Sequence, residues 1–216
     1  SRKPRSSSAS TKCPVDDTGK YSVIPSTNPN TTACMGVIAL AVAPAGDVNG
    51  DGVDDILIGA NQADPPGLSP SSNAGACYVV FGRDVVQTGI PFADYNLGVL
   101  NPSTGFGILG AALGDTLGRS VAGVGDVNGD GFDDFVVTSP YMDYGSSLYD
   151  GKAFVVFGRP HFNATIDATA IAPGIGFMVA VGVDELGLES SFTATNGAAG
   201  VGDINGDGLA DYLLTG

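Results

Sequence analysis

Asp47-Val48-Asn49-Gly50-Asp51-Gly52-Val53-Asp54-Asp55 is the stretch on which the reading of this chain turns. The pattern returns as Asp126-Val127-Asn128-Gly129-Asp130-Gly131-Phe132-Asp133-Asp134. It returns again as Asp203-Ile204-Asn205-Gly206-Asp207-Gly208-Leu209-Ala210-Asp211, with Ala210 in place of an Asp. Oxygen-bearing side chains occupy positions 1, 3, 5 and 9 of each nine-residue copy, and glycines at 4 and 6 permit a sharp turn with positive φ. Such a turn aims Asp47, Asn49, Asp51 and Asp55 at one point, with the backbone carbonyl of Val53 as a fifth oxygen. Ca²⁺ takes roughly six to eight oxygens in a flexible cage, which such a set plus water can provide. Three equivalent Ca²⁺ loops are therefore expected.

An EF-hand begins in the same way but closes with a bidentate Glu at its twelfth position between two helices. Here that position is Ile58, Val137 and Leu214, inside the short apolar runs Ile56-Leu57-Ile58, Phe135-Val136-Val137 and Tyr212-Leu213-Leu214. Each loop therefore leads into a strand. A metal-free Asp/Asn/Gly hairpin is the plainer reading of one copy; three copies at matching offsets weigh against it.

The 216 residues include 33 glycines, 13 prolines and no tryptophan, and no long segment has helical periodicity. Many short strands joined by turns, an all-β class, fit this pattern. The net charge of −14 is concentrated in the three loops, which hold eleven of the 23 acidic residues; three Ca²⁺ ions would bring it to −8. The nine basic residues are scattered apart from Arg2, Lys3 and Arg5, so a nucleic-acid partner is not expected. Apolar runs such as Met35 to Ala45 and Ala168 to Val183 are too short or too interrupted to span a bilayer. The chain starts without Met and without a signal-peptide core, and is expected to be a processed product or a fragment.

Residues 1–33, rich in Ser, Thr, Pro and Asn, read as an extended arm. A Cys13–Cys34 disulfide would pin the arm to the first strand, one of three single pairings open to three cysteines, while Cys77 reads as a small buried free thiol within a strand. Asn30-Thr31-Thr32 and Asn163-Ala164-Thr165 are sequons for N-glycans. With the cysteines and loops suited to millimolar calcium, they favour an extracellular, secreted or cell-surface setting.

From residue 35 onward the elements repeat with the loops. Each repeat has an apolar strand (Val37 to Ala43; Arg119 to Val124; Thr193 to Val201), the loop, a second strand and a polar connection. A third strand follows, and Gly75-Ala76-Cys77-Tyr78-Val79-Val80-Phe81-Gly82-Arg83 matches Gly151-Lys152-Ala153-Phe154-Val155-Val156-Phe157-Gly158-Arg159 almost residue for residue. A fourth strand is expected in Val85 to Tyr95 and in Ala164 to Ile171. Four strands per repeat suggest propeller blades.

These residues resemble the FG-GAP repeats that build the β-propeller of integrin α subunits. Leu117 to Val137 follows the repeat consensus, and Gly59-Ala60 and Ser139-Pro140 sit in its GAP slot. The resemblance implies a propeller portion over residues 34–216, with blades at about 34–100, 101–172 and an incomplete 173–216. The whole is expected to be about two and a half blades of a larger propeller. It implies structural Ca²⁺ on Asp47, Asn49, Asp51, Val53 and Asp55; on Asp126, Asn128, Asp130, Phe132 and Asp134; and on Asp203, Asn205, Asp207, Leu209 and Asp211. It also implies that partners dock on the opposite rim. An incomplete sheet leaves an edge that more blades, a neighbouring chain in a polymer, or an arm segment such as Tyr21 to Ile24 would cover.

Catalytic chemistry is not expected. His161, the only histidine, follows Arg159-Pro160 in a turn; no nucleophile elbow or phosphate-cradling loop occurs. Asp54 and Asp133 belong to the loops, and Asp115 and Asp184-Glu185 recur before Leu-Gly, the mark of a structural turn. Recognition is better placed in Asn61 to Ala74 and Tyr141 to Asp150, the latter with Tyr141, Tyr144 and Tyr149, a composition suited to a protein or glycan ligand. The function expected is an extracellular calcium-binding module in adhesion or assembly; the alternative is an accessory propeller of a secreted hydrolase.

Overall fold

The computed structural model of the chain describes residues 41–69, 72–84, 97–142, 151–180 and 197–215. The arm of residues 1–33, with Cys13 and Asn30, lies outside them, as do Cys34, Tyr144 and Tyr149. Each nine-residue loop joins two antiparallel strands. β1 (Ala41–Gly46) pairs with β2 (Asp55–Ala60), β5 (Val121–Gly125) with β6 (Asp134–Ser139), and β10 (Gly197–Gly202) with β11 (Asp211–Thr215). All three pairs bulge at the residue before the loop, where Gly46, Gly125 and Gly202 have φ of 75°, 75° and 70°. A glycine there turns the backbone out of the ladder at no steric cost.

The matched third strands continue the sheets: β3 (Ala76–Val80) against β2, and β7 (Lys152–Val156) against β6. The described residues are thus all-β, in sheets that match partial propeller blades. β5 lies between β1 and β10, so the first strands of the three sheets run side by side.

The fourth strands are not where the sequence pattern placed them. Val85 to Tyr95 lies outside the described residues, and the partner of β3 is β4 (Gly105–Leu109). Ala164 to Ile171 does contain a strand, β8 (Thr165–Asp167), but it adds in parallel to β4 of the first sheet. The fourth strand of the second sheet is β9 (Gly176–Ala180), on β7. The first two sheets therefore run on to Leu109 and Ala180. The cause is local. Asn101-Pro102 and Ala172-Pro173 each open a turn whose first carbonyl accepts from the backbone N–H three and four residues later. The glycine ending each turn lies against the third strand, so that a Cβ on Gly105 would meet the Val79 carbonyl and one on Gly176 the Val155 carbonyl. Ile166 and Ala168 meanwhile bury themselves in the first core.

Period-two alternation explains the two cores. Phe135 and Val137 of β6, with Phe154 and Val156 of β7, face Leu57, Cys77, Val79, Phe106 and Ile108 of the first sheet. Val136, Ala153 and Val155 point the other way, against Ala198, Tyr212 and Leu214 of the third. β6 is buried along its whole length because both its faces are covered. Phe106 anchors the first core, stacked on Phe162 at 4.1 Å and tilted against Phe81 and Phe135 at 6.0 and 6.2 Å.

Cys77 is a free thiol with no exposed surface, and burial pushes its pKa up to about 12. Burial therefore leaves far less thiolate, the reactive form, than an exposed cysteine carries. In the native protein Cys77 is expected to resist a maleimide at pH 8 and to react fully in denaturant. Peptide mass spectrometry of its tryptic fragment reads the difference, and fast native labelling would refute the packing.

Candidate metal centre

Within the first loop, position 1 organises the turn. Asp47 Oδ1 accepts from Gly50 N at 2.8 Å and Asp51 N at 3.0 Å, and Asp47 Oδ2 accepts from Gly52 N at 2.8 Å. Asn49 Oδ1 accepts from Asp51 N at 2.8 Å, Asn49 Nδ2 donates to Asp51 Oδ2 at 3.1 Å, and Asp51 Oδ1 accepts from Val53 N at 2.9 Å. Short polar side chains bonding their own backbone two to five residues on are what fold a loop locally. The second loop repeats the scheme with Asp126, Asn128 and Asp130. The third repeats the backbone N–H bonds of the scheme with Asp203, Asn205 and Asp207. Positions 1, 3 and 5 are thus held by the same backbone N–H bonds in all three loops.

Position 9 does something spacing did not reveal. Asp55, 1% exposed, accepts from Val48 N at 3.1 Å through Oδ2 and from Gly82 N at 2.7 Å through Oδ1. Asp134, 0% exposed, does the same for Val127 N and Gly158 N at 2.9 and 2.8 Å. One carboxylate therefore ties the loop's start to the exit of the third strand. Asp211 is half-buried and accepts from Ile204 N at 3.0 Å. The matched Phe-Gly-Arg after β3 and β7 was the available signal, since its glycine supplies the second N–H.

Burial raises the carboxyls of Asp55 and Asp134 to about pH 6, against the lowering effect of these backbone bonds. Exposed Asp203 shifts the other way, lowered chiefly by the Gly208 N–H bond. For Asp55 and Asp134 the folded value exceeds the unfolded one, so they favour folding at low pH and that contribution is lost as pH rises through 6. The chelator-treated protein is accordingly expected to be more stable at pH 5 than at pH 7, as read by urea midpoints.

Among the described residues no three His, Cys, Asp or Glu side chains are gathered as a preformed metal cage. The oxygens nonetheless fit Ca²⁺ in kind and number. Each copy offers three carboxylates, an amide oxygen and a carbonyl, and a carboxylate oxygen that accepts one N–H keeps a lone pair for an ion.

The other candidates fall into place around this rim. His161 is exposed in the turn after β7, and Asp115 caps Ala111 N and Ala112 N at 3.2 and 2.8 Å, a turn-forming role. The connection from Asn61 is held by Asp64, whose Oδ1 accepts from Ser72 Oγ and Asn73 N at 3.0 and 2.9 Å. It lies at the strand ends opposite the loops, as do Leu113, 74% exposed, and Tyr141, 44% exposed.

Comparison with known proteins matches residues 40–80 and 117–156 to the FG-GAP repeat. Each stretch runs from the first strand through the loop to the third strand; the third loop lies beyond both. Phosphatidylinositol-glycan-specific phospholipase D of Mus musculus is 31% identical over 120 residues, covering 54% of this chain and 12% of the relative. Integrin alpha-PS2 of Drosophila melanogaster is 33% identical over 96 residues, 44% of this chain and 6% of the relative. Integrin alpha pat-2 of Caenorhabditis briggsae is 31% identical over 170 residues, 70% of this chain and 12% of the relative. The chain thus spans about an eighth or less of the length of these curated relatives. On its repeated loops, sheets and matched segments, the chain carries FG-GAP repeats over residues 40–80 and 117–156 and is homologous at modest identity to the propeller-containing integrin α subunits.

Proposed function

We propose that this chain is an extracellular, calcium-binding propeller module that serves adhesion or assembly and has no catalytic role of its own. The observation that carries the reading is the threefold pattern of Asp, Asn, Asp, main-chain carbonyl and Asp, whose first three side chains accept the same backbone N–H bonds in each copy. Ca²⁺ at each loop would draw its three carboxylates together, neutralise them and lock the hairpin; its role is structural. The ligands are those at positions 1, 3, 5, 7 and 9 of each copy, from Asp47 to Asp211. Loops of this kind suit the millimolar calcium outside cells, and the exposed sequon at Asn163 and Thr165 suits N-glycosylation there.

The partner, a protein or glycan, is placed on the rim opposite the loops. Solvent-facing Leu113 and Tyr141 offer apolar and aromatic contact there. A second reading, an accessory module of a secreted hydrolase, is favoured by the match to phosphatidylinositol-glycan-specific phospholipase D over 54% of the chain.

Equilibrium dialysis against ⁴⁵Ca²⁺ tests the core of the proposal. Three loops predict about three ions per chain, falling by one in each of Asp51→Asn, Asp130→Asn and Asp207→Asn. A chain that retains no calcium at 10 mM, or whose stoichiometry ignores these substitutions, refutes it.

A further inference from the structure

Neighbouring loops are not separate hairpins. The residue at position 8 of one loop lies against position 1 of the loop before it. Asp133 Oδ2 accepts from Asp47 N at 2.8 Å, while the Asp133 N–H donates to Asp47 O at 3.3 Å. Both peptide groups of the first loop's leading residue are therefore held by one residue of the second. The preceding position interlocks as well. The Phe132 ring lies over Gly50 so closely that a Cβ there would stand 2.4 Å from it, and a Cβ on Gly46 would overlap the Asp133 carboxylate. The first loop has room for Asp133 and Phe132 only because positions 4 and −1 are glycine.

At the next junction the backbone half of the arrangement recurs. Ala210 N donates to Asp126 O at 2.9 Å, and Leu209 approaches Gly129, 3.1 Å from a built Cβ. The side-chain half is gone, because Ala210 has no carboxylate. A cleft of about 270 Å³ opens beside this second junction, lined by Asn128, Asp207, Leu209 and Tyr212 among others.

We propose that the loops bind calcium as a coupled row, and that Asp133 is the positioning residue that transmits the state of the second loop to the first. The inference rests on the calcium reading above. Asp133 is not itself in the ligand set, but its two neighbours along the chain are, Phe132 offering its carbonyl and Asp134 its carboxylate. An ion that draws these two inward fixes the peptide between them. That peptide and its carboxylate fix both peptide groups of Asp47, the first ligand of the neighbouring site. Coupling of this kind is a difference in the free energy of one site according to whether the other is filled, and it acts equally in both directions. The second junction, with one backbone bond and no charged bond, couples more weakly.

The test uses the full chain labelled with ¹⁵N, with calcium itself as the probe and the amide signals of Gly50, Gly129 and Gly206 reporting the three loops. Asp130→Asn weakens the second loop by removing one ligand charge, while its amide oxygen keeps the bond to Phe132 N. It is expected to weaken calcium binding at Gly50 about tenfold, within the usual range of coupling between sites. In an Asp133→Ala background the same change leaves Gly50 unaffected, and Asp133→Asn, which keeps an acceptor for Asp47 N, restores the effect. Alanine is a tolerated occupant, since Ala210 fills the equivalent place, and the Arg159 N–H to Val48 O bond at 2.8 Å still holds the first loop. Saturable binding at all three loops with Gly50 indifferent to Asp130→Asn overturns the coupling and leaves the calcium reading standing. An undiminished effect in Asp133→Ala overturns the role of Asp133. The absence of any calcium-dependent shift at 10 mM overturns both.

Discussion

Asp134→Ala, assayed in chelator, is expected to lower unfolding free energy by about 4 kcal/mol, whereas Asp211→Ala costs about 1 kcal/mol. Asp134 is fully buried and is the acceptor for both Val127 N and Gly158 N. Alanine leaves the buried Gly158 N–H and the partly buried Val127 N–H without their acceptor, at roughly 1–3 kcal/mol for each that water does not reach, and adds a small void. Opposing this is relief of a buried charge, the cost that holds the Asp134 carboxyl near pH 6. The lost acceptors dominate because alanine cannot replace them, while the charge is already stabilised by the bonds it accepts. Asp134→Asn separates the two effects: its single amide oxygen satisfies one donor without a charge, so it should fall between wild type and alanine. Asp211 is half-buried and bonds to an exposed N–H, which water can satisfy in its absence. Urea denaturation of the three variants measures the order; equal losses for Asp134→Ala and Asp211→Ala would show that position 9 does not tie loop to sheet.

The only trace of that buried role in the sequence was the matched Phe-Gly-Arg, although the residue itself stood out. Asp55 and Asp134 stood out because positions 1, 3, 5 and 9 are spaced as a turn requires, and local spacing is something a sequence carries. Their second partners, Gly82 and Gly158, lie 27 and 24 residues away and became neighbours only through the pairing of β2 with β3 and β6 with β7. Asp133 was passed over for the same reason: its partner Asp47 belongs to another sheet.

The strands divide along the same line. Those flanking the loops follow from alternation and turn residues, and the third strands follow from the matched Phe-Gly-Arg segments. β4 and β9 carried a repeat that could have been read, Pro102-Ser103-Thr104-Gly105-Phe106 against Pro173-Gly174-Ile175-Gly176-Phe177. β8 carried none. Its parallel pairing with β4 across more than fifty residues depends on Phe162, Ile166 and Ala168 finding the Phe106 cluster, a choice settled by packing between sheets.

Withdrawal of calcium should have the largest effect of all, a fall in melting temperature of roughly 15–30 °C between 10 mM Ca²⁺ and chelator. A site with a dissociation constant near 0.1 mM, filled at a hundredfold excess, stabilises the native state by about 2.7 kcal/mol. Three such sites give about 8 kcal/mol, and a chain of this size shifts by roughly 2–4 °C per kcal/mol. The sign follows from the loops. Without an ion, the carboxylates of Asp47, Asp51 and Asp55 repel one another, a repulsion already visible in the upward push that Asp51 and Asp47 exert on Asp55. With an ion the same charges become ligands. The effect should also be unequal along the chain. The first two loops end on buried Asp55 and Asp134 at the edge of a packed core, while the third is exposed along nearly its whole length. Asp51→Asn and Asp130→Asn are therefore expected to remove more of the calcium-dependent shift than Asp207→Asn. Differential scanning calorimetry at matched ionic strength, with Mg²⁺ replacing Ca²⁺ as the control cation, decides it. A melting temperature that Mg²⁺ restores as well as Ca²⁺ would reduce the effect to charge screening and leave the loops as hairpins held by their own hydrogen bonds.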